Sequence, residues 1–321
     1  MLFDCYTHER NNMKNTEASI KKEYSYSNET GDAVLTAYTI FPGIQVVYNS
    51  VHMDRFDMSI PTRTGNFIEI HHCMEGRVEQ EFGNDFFYLM PGDLSIAQRD
   101  RMVQEYSFPL RHYHGITIAI DTDVAPKCFS AYMEDIKVQP SAVVERLCGD
   151  RSCAILRSEP YIEHIFSEMY TMREEMRHDY LKIKILELLF ILNIVDPPTP
   201  DTLNRTLPKA QVSLAKQAAT YLAQNMDKHV TVSELAKQLA VSETFLKGAF
   251  KGVYGVAIFT YVRIQKMQCA AQILISTDRS IADVASEFGY SNESKFSAAF
   301  KDIMGDTPGV FRRMHSKINI V

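Results

Sequence analysis

An α+β chain of two domains is what this sequence predicts: a small β-barrel or sandwich with a helical segment, then an all-α module. Three observations carry the prediction. Short β-rich runs fill residues 36–121, the hydrophobic period lengthens after residue 161, and the helical stretch beyond residue 208 contains a repeat of itself. A length of 321 residues suits two separate cores. With 45% hydrophobic and 23% charged residues and 12 prolines, the composition excludes a disordered, collagen-like or low-complexity protein.

Residues 1–30 are polar and without a period, which predicts a flexible arm. Eight β-rich runs follow at Thr36–Phe41, Ile44–Met53, Phe67–Met74, Arg77–Phe82, Phe86–Met90, Leu94–Gln98, Val103–Phe108 and Tyr113–Asp121, a spacing that suits a small barrel or sandwich. Period two puts His114, Ile116, Ile118 and Ile120 on one strand face, and Ile68, Ile70 and His72 on another. If those apolar faces line a barrel interior, His72 and His114 point inward. Ile162, Ile165, Phe166, Met169 and Met172 then recur at helical spacing, followed by an apolar helix over Tyr180–Val195. Its stripe of Leu181, Ile185, Leu188, Leu189 and Leu192 is wider than one barrel contact needs, which predicts a homodimer surface. Asp196–Pro208 is proline-rich and reads as a semi-rigid linker, giving domains at 31–195 and 209–321.

The net charge of −6 argues against nucleic-acid binding until the chain is divided. From Pro208 onward there are 14 Lys and Arg against 9 Asp and Glu, leaving 20 against 31 before it. A basic module is joined to an acidic one. Six scattered cysteines without a C-x-x-C pair, and no apolar signal core, lead one to expect a reduced cytoplasmic setting. The most apolar run, 183–195, contains Lys184, Glu187 and Asn193 and is too short to span a membrane.

Within the basic module Val232-Ser-Glu-Leu-Ala236 matches Ile281-Ala-Asp-Val-Ala285 at an offset of 49 residues, as Val241-Ser242 matches Tyr290-Ser291. After Asn292 the offset becomes 50, pairing Leu246 with Phe296, Phe250-Lys251 with Phe300-Lys301 and Gly255 with Gly305. Each copy opens on a capping box, Thr231 with Glu234 or Ser280 with Asp283, which starts a short helix. A tight corner follows, then a second helix with core residues at i and i+4. Short helix, corner and second helix make a helix-turn-helix, whose second helix can enter a DNA major groove, although such pairs also fill plain bundles.

The stretch from Ser213 to Met314 resembles the DNA-binding domain of the AraC/XylS family of bacterial transcription regulators. The resemblance rests on Leu235-Ala236, Phe250-Lys251-x-x-Tyr254-Gly255 and the run Tyr261–Ala270. It is fullest in Ile281-x-x-Val284-Ala285-x-x-x-Gly289-Tyr290, Ser294-Lys-Phe296, Phe300-Lys301, Gly305-x-Thr307-Pro308 and Phe311-Arg312. It implies two helix-turn-helix units joined by a long helix, about Phe259–Ile275, reading successive stretches of one DNA face, with RNA polymerase as a further candidate partner. Family members often carry an arginine two positions after the core residue Leu246 or Phe296; here Gly248 and Ala298 stand there, so bidentate arginine–guanine contacts are lost. The remaining candidates are Glu243, Thr244, Lys247 and Lys251 on one helix and Asn292, Ser294, Lys295, Ser297 and Lys301 on the other. Lys251, Lys301, Arg312 and Arg313 are expected at phosphates, which position a protein without specifying sequence.

Glu75-Gly76 and Leu89-Met-Pro91-Gly92-Asp93 are similar to the cupin-like sensor domain that precedes the DNA-binding part in many family members. That similarity implies an effector pocket inside a barrel, with His72, His114 and Gln98 as candidate contacts for an unknown small molecule. A bound metal is not expected: adjacent His71-His72 lie on opposite strand faces, and Gln98 and Arg99 occupy the place of a later cupin histidine. No cofactor and no catalysis are expected, and the chain reads as a sequence-specific, effector-responsive regulator. A cupin-type metalloenzyme with an accessory helical domain, or a regulator that needs no ligand, stay open as alternatives.

Overall fold

β-Branched and aromatic residues at alternating positions form the strands of the N-terminal half. They are β1 (Lys21–Asn28), β2 (Gly31–Phe41), β3 (Ile44–His52), β4 (Arg55–Asp57), β5 (Phe67–Gly76), β6 (Val78–Phe82), β7 (Asp85–Leu89), β8 (Leu94–Gln98), β9 (Glu105–Ser107), β10 (Tyr113–Asp121) and β11 (Cys153–Leu156). The computed structural model describes residues 20–57, 67–82, 85–98, 105–125, 139–149, 153–198, 206–226, 228 and 230–315. The chain divides into two units, Met1–Thr206 and Leu207–Val321. Arg99 and most of the linker at 196–208 lie outside the described residues.

In the first unit a broad antiparallel sheet runs β1-β2-β3-β10-β5-β8-β11, and a smaller one runs β7-β6-β9-β4. The broad sheet ends on β1 and β11, so among the described residues no closed barrel forms. Of the flexible arm expected at 1–30, residues 1–19 lie outside the described residues, and Lys21–Asn28 pairs along β2 from Lys21↔Tyr38 to Asn28↔Gly31. Its alternation went unread because its side chains, Lys, Glu, Tyr, Ser and Asn, are mostly polar on both faces.

Helices α1 (Pro140–Cys148), α2 (Pro160–Thr171) and α3 (Glu174–Ile194) cover one face of the broad sheet. The isoleucines of the two inner strands, Ile68, Ile70, Ile116, Ile118 and Ile120, pack there against Phe166, Leu181, Leu188 and Leu192. A second core, with Val51, Cys73, Val78, Leu89, Tyr106 and Tyr113, lies on the opposite face, against the small sheet. The period-two alternation holds, and the all-isoleucine side meets the helices rather than a barrel interior. The stripe expected to form a dimer is likewise interior, Leu181, Ile185, Leu188, Leu189 and Leu192 being at most 2% exposed.

His72 belongs to this helix-covered face. Its ring lies flat on Phe166, centroids 4.0 Å apart and planes 6° off parallel, and Nδ1 is 3.1 Å from the Tyr170 hydroxyl. Burial depresses its pKa to about 4. The ionisable groups facing it are Tyr170 and Glu163, both on α2, with the Glu163 carboxylate 3.9 Å from Nε2. Because the folded pKa lies below the unfolded value of roughly 6.5, the neutral ring contributes stability that is complete above that pH and is lost as pH falls towards 4. The contribution is about 3 kcal/mol. In urea melts of the full chain, His72→Phe, which retains the stacked ring, is expected to flatten the fall in first-unit stability between pH 6.5 and 4. An unchanged pH dependence would assign that fall to other groups.

The second unit is all helix: α4 (Lys209–Gln224), α5 (Val232–Gln238), α6 (Glu243–Tyr254), α7 (Ile258–Ser276), α8 (Ile281–Glu287), α9 (Glu293–Met304) and α10 (Pro308–His315). α5 starts with a complete capping box, Thr231 Oγ1 accepting from Glu234 N and Glu234 accepting from Thr231 N. In the second copy Ser280 Oγ accepts from Asp283 N, but the shorter Asp283 carboxylate takes the Ser280 hydroxyl instead of a backbone amide. Leu246, Phe250, Phe296 and Phe300 are completely buried at matching places. The second copy's core is Met267, Leu274, Val284, Phe288, Phe296, Phe300 and Phe311.

Candidate functional site

The corner between α5 and α6 turns on Ala240 at φ +54°, and the corner between α8 and α9 on Gly289 at φ +80°. A left-handed backbone costs an alanine about 1 kcal/mol more than a glycine, so the first copy tolerates strain to keep the corner of the second. α6 and α9 leave these corners capped by Ser242, which accepts from Phe245 N, and by Asn292, whose Oδ1 accepts from Ser294 N at 2.8 Å and Lys295 N at 3.2 Å.

On α6, Glu243, Thr244, Lys247 and Lys251 are exposed; on α9 and its cap, Asn292, Ser294, Lys295 and Lys301 are exposed and Ser297 is half-buried. Lys247 is paired with Glu243 one turn back at 3.2 Å, so its charge is partly spent within the helix. A side chain built at Gly248 would meet open space, and Ala298 is exposed, so both arginine-lacking positions are outward. Phe245 is 47% exposed in the first turn of α6, among the polar candidates. Sequence reasoning passed over it because an aromatic beside Leu246 reads as core, yet phenylalanine can contact a thymine methyl. Arg312 is placed differently from the expectation: its guanidinium donates to Leu274 O and Arg279 O, closing the end of α7. Arg313 remains exposed. Arg263 on α7 pairs with Asp302 on α9 at 2.7 Å, and Lys266 donates to Phe288 O, so the long helix holds the second reading helix by polar contacts as well as by its core.

A family model described as a helix-turn-helix domain matches residues 235–314, which span both helix pairs and the helix between them. The C-terminal unit is an AraC-type helix-turn-helix domain. An AraC-like transcription regulator of Streptomyces lividans is 28% identical over 131 residues, 41% of this chain and 43% of the relative. The right origin-binding protein of Escherichia coli K12 is 28% identical over 103 residues, 32% of this chain and 36% of that protein. The HTH-type transcriptional regulator YtdP of Bacillus subtilis is 23% identical over 220 residues, 64% of this chain and 28% of that protein. The chain thus spans less than half the length of each of these relatives.

Outside the AraC-type domain, a cavity lies on the small-sheet face of the broad sheet. Leu35, Val47, Val51, Val78, Leu89 and Phe108 form its apolar walls, and Asn49, Glu69, His71, Gln80, Tyr106 and Thr117 add polar groups. None of the expected effector contacts is among its lining residues. His72 faces the helices, His114 lies on the same side of β10 as the isoleucines, and Gln98 pairs with Ile68 where β8 ends. The neighbour of His72 takes that place: His71 Nδ1 is 2.9 Å from Thr117 Oγ1, which accepts from Asn49 Nδ2 at 2.8 Å, and His71 Nε2 is 3.3 Å from Glu69 Oε2. The Tyr106 hydroxyl donates to the same carboxylate oxygen at 3.3 Å. Gln80 is 4% exposed, and neither its amide oxygen nor its nitrogen has a partner among the described residues. Two unpaired polar atoms at a cavity wall leave a desolvation cost that a ligand with one acceptor and one donor would relieve. No helix of the described residues is long and apolar enough to cross a membrane. Cys73, Cys148 and Cys153 are buried, and Cys269 is half-buried.

Proposed function

We propose that this protein is a sequence-specific, double-stranded-DNA-binding transcription regulator of bacteria, working in the cytoplasm as a homodimer and governed by a small molecule held in the cavity of its N-terminal, cupin-like unit. The carrying observation is the pair of capped helices, α6 and α9, whose outward residues are polar or charged apart from Phe245, Gly248 and Ala298, while their inward ones fill two matching cores. RNA polymerase is a further partner consistent with this reading, with no residue assigned to it. The cavity favours a compact, uncharged effector: aliphatic walls for its body, and the Gln80 amide for a neutral donor–acceptor pair.

The dimer surface in this reading is the outer side of α3. Met176, Ile183, Phe190 and Ile194 are 59%, 60%, 39% and 61% exposed, and their spacing of seven, seven and four residues lays them along one stripe, as in a helix–helix seam. A thermal-shift screen of the full chain against small-molecule pools, with DNA affinity measured for each hit, tests the regulatory part. The expected hit raises the melting temperature of the wild type and changes its DNA affinity, and loses at least tenfold in affinity for Gln80→Leu. A hit that binds Gln80→Leu equally would place the effector elsewhere. DNA binding indifferent to every stabilising ligand would favour the ligand-independent regulator.

A further inference from the structure

Three imidazoles meet on the face of the first unit opposite the cavity lining: His52 at the end of β3, His112 in the turn before β10, and His114 in β10. One ring nitrogen of each lies within 4.8 Å of the other two. Ring centroids are 5.3 Å apart for His52 and His112, 5.3 Å for His52 and His114, and 4.8 Å for His112 and His114.

The backbone brings them together by design of the strands. His114 pairs with Ser50, which puts His52, two residues on, on the same side of adjacent strands. Alternation along β10 sends Tyr113 to the cavity core and His114 to the other face, and a bulge at Met74 of β5 puts Glu75 opposite His114. The turn carrying His112 is tied down: Phe108 N donates to Asp54 O, Arg111 N to Phe108 O, and the Arg111 guanidinium to Thr30 O. Gly31 and Gly76, at φ +152° and +82°, let the carbonyls of His52 and His112 approach to where any side chain would clash, a Cβ falling 1.9 Å from each oxygen. The Glu75 carboxylate stands 3.2 Å from His112 Nε2.

We propose that His52, His112 and His114 bind a divalent first-row transition-metal ion of the zinc class, with Glu75 beside them as a carboxylate that either completes the shell or fixes the His112 ring. Imidazole donors select this class over Mg²⁺ and Ca²⁺, which take oxygen ligands. Metal–nitrogen bonds of about 2.0–2.1 Å in a tetrahedral shell set nitrogen separations of about 3.4 Å. The rings must therefore close by roughly 1 Å, a side-chain rotation open to groups that are exposed or half-buried. The site explains a grouping that the apolar packing does not need. It also reaches the cavity: Phe108 and Tyr113, on either side of His112, are among the cavity-lining residues, so an ion here would fix one wall. The sequence concealed the trio because His52 lies 60 residues from His112, and a search for cupin spacing passes over both.

The test is Zn²⁺ titration of the untagged full chain by calorimetry, with Co²⁺ spectra to report the donor atoms. Expected are one ion per chain, a raised melting temperature, a Co²⁺ spectrum without a thiolate charge-transfer band, and affinity reduced 10- to 100-fold or more in His114→Ala and in His52→Gln. His52 is exposed, so His52→Gln serves if His114→Ala proves unfolded. No saturable binding, equal affinity in the folded variants, or a thiolate band pointing to cysteines would each overturn the assignment. None of these results depends on whether the chain binds DNA or an effector.

Discussion

Leu188→Glu is expected to unfold the N-terminal unit, and Ile183→Glu to leave it folded but monomeric. The two residues lie five positions apart on α3, and the sequence alone does not tell their roles apart. Leu188 is 0% exposed within the core beneath the broad sheet, among Phe166, Leu181 and Leu192. A glutamate there would be an unpaired charge in an apolar core, with the leucine's packing also lost, a combination that costs more than about 4 kcal/mol and takes up much of a domain's margin of about 5–15 kcal/mol. Ile183 is 60% exposed, and a surface substitution of that kind changes monomer stability by roughly 0.5 kcal/mol or less. Circular dichroism and sedimentation velocity on both variants separate the roles. A folded, dimeric Ile183→Glu, with the same result for Ile194→Glu, would move the dimer surface off α3. A folded monomer from Leu188→Glu would return it to the stripe that the sequence suggested.

That pair of residues shows where sequence reading reached its limit. The repeat in the C-terminal unit was legible because both copies must make the same corner and fill the same pocket behind it. Leu246 with Phe296 and Phe250 with Phe300 therefore sit at nearly fixed offsets and all are completely buried. The strands between 36 and 121 were legible through their period of two. Facing was not, because a strand with an all-isoleucine side looks the same whether helices or a second sheet cover it; only the helices packed on that side settle that His71, and not His72, meets the cavity. α3 is apolar on nearly every side, so its composition marks a buried helix without marking which side is buried. Arg312 reads as a phosphate contact because it is a basic residue at a domain's end, while its guanidinium donates to Leu274 O in the last turn of α7 and to Arg279 O just beyond it.

Affinity of the second unit, 207–321, for double-stranded DNA is expected to fall roughly 300- to 1,000-fold between 50 and 200 mM salt. The exposed cations on α6, α9 and α10 are Lys251, Lys295, Lys301 and Arg313, none with an ion-pair partner among the described residues, together with Lys247 in its pair with Glu243. With about 4 to 6 phosphates neutralised, log K against log salt should slope at about −4 to −5, and Lys251→Ala or Lys301→Ala should each reduce that slope by about 1 while weakening all sequences alike. Arg312→Ala should act otherwise, lowering the melting temperature by opening the end of α7, with the salt slope unchanged. Asn292 separates positioning from reading. Pairing with adenine needs an amide acceptor and donor together, and the Asn292 oxygen already accepts two backbone amides at the start of α9. Asn292→Ser keeps a capping oxygen and is therefore expected to retain both stability and base preference, whereas Asn292→Ala should cost about 1 kcal/mol of stability. Loss of discrimination at one base pair in a stably folded Asn292→Ser would make Asn292 a base reader. Retention leaves the reading to Ser294 and Lys295 on one helix and Thr244 and Phe245 on the other, and a flat salt response would remove DNA from the account of this unit altogether.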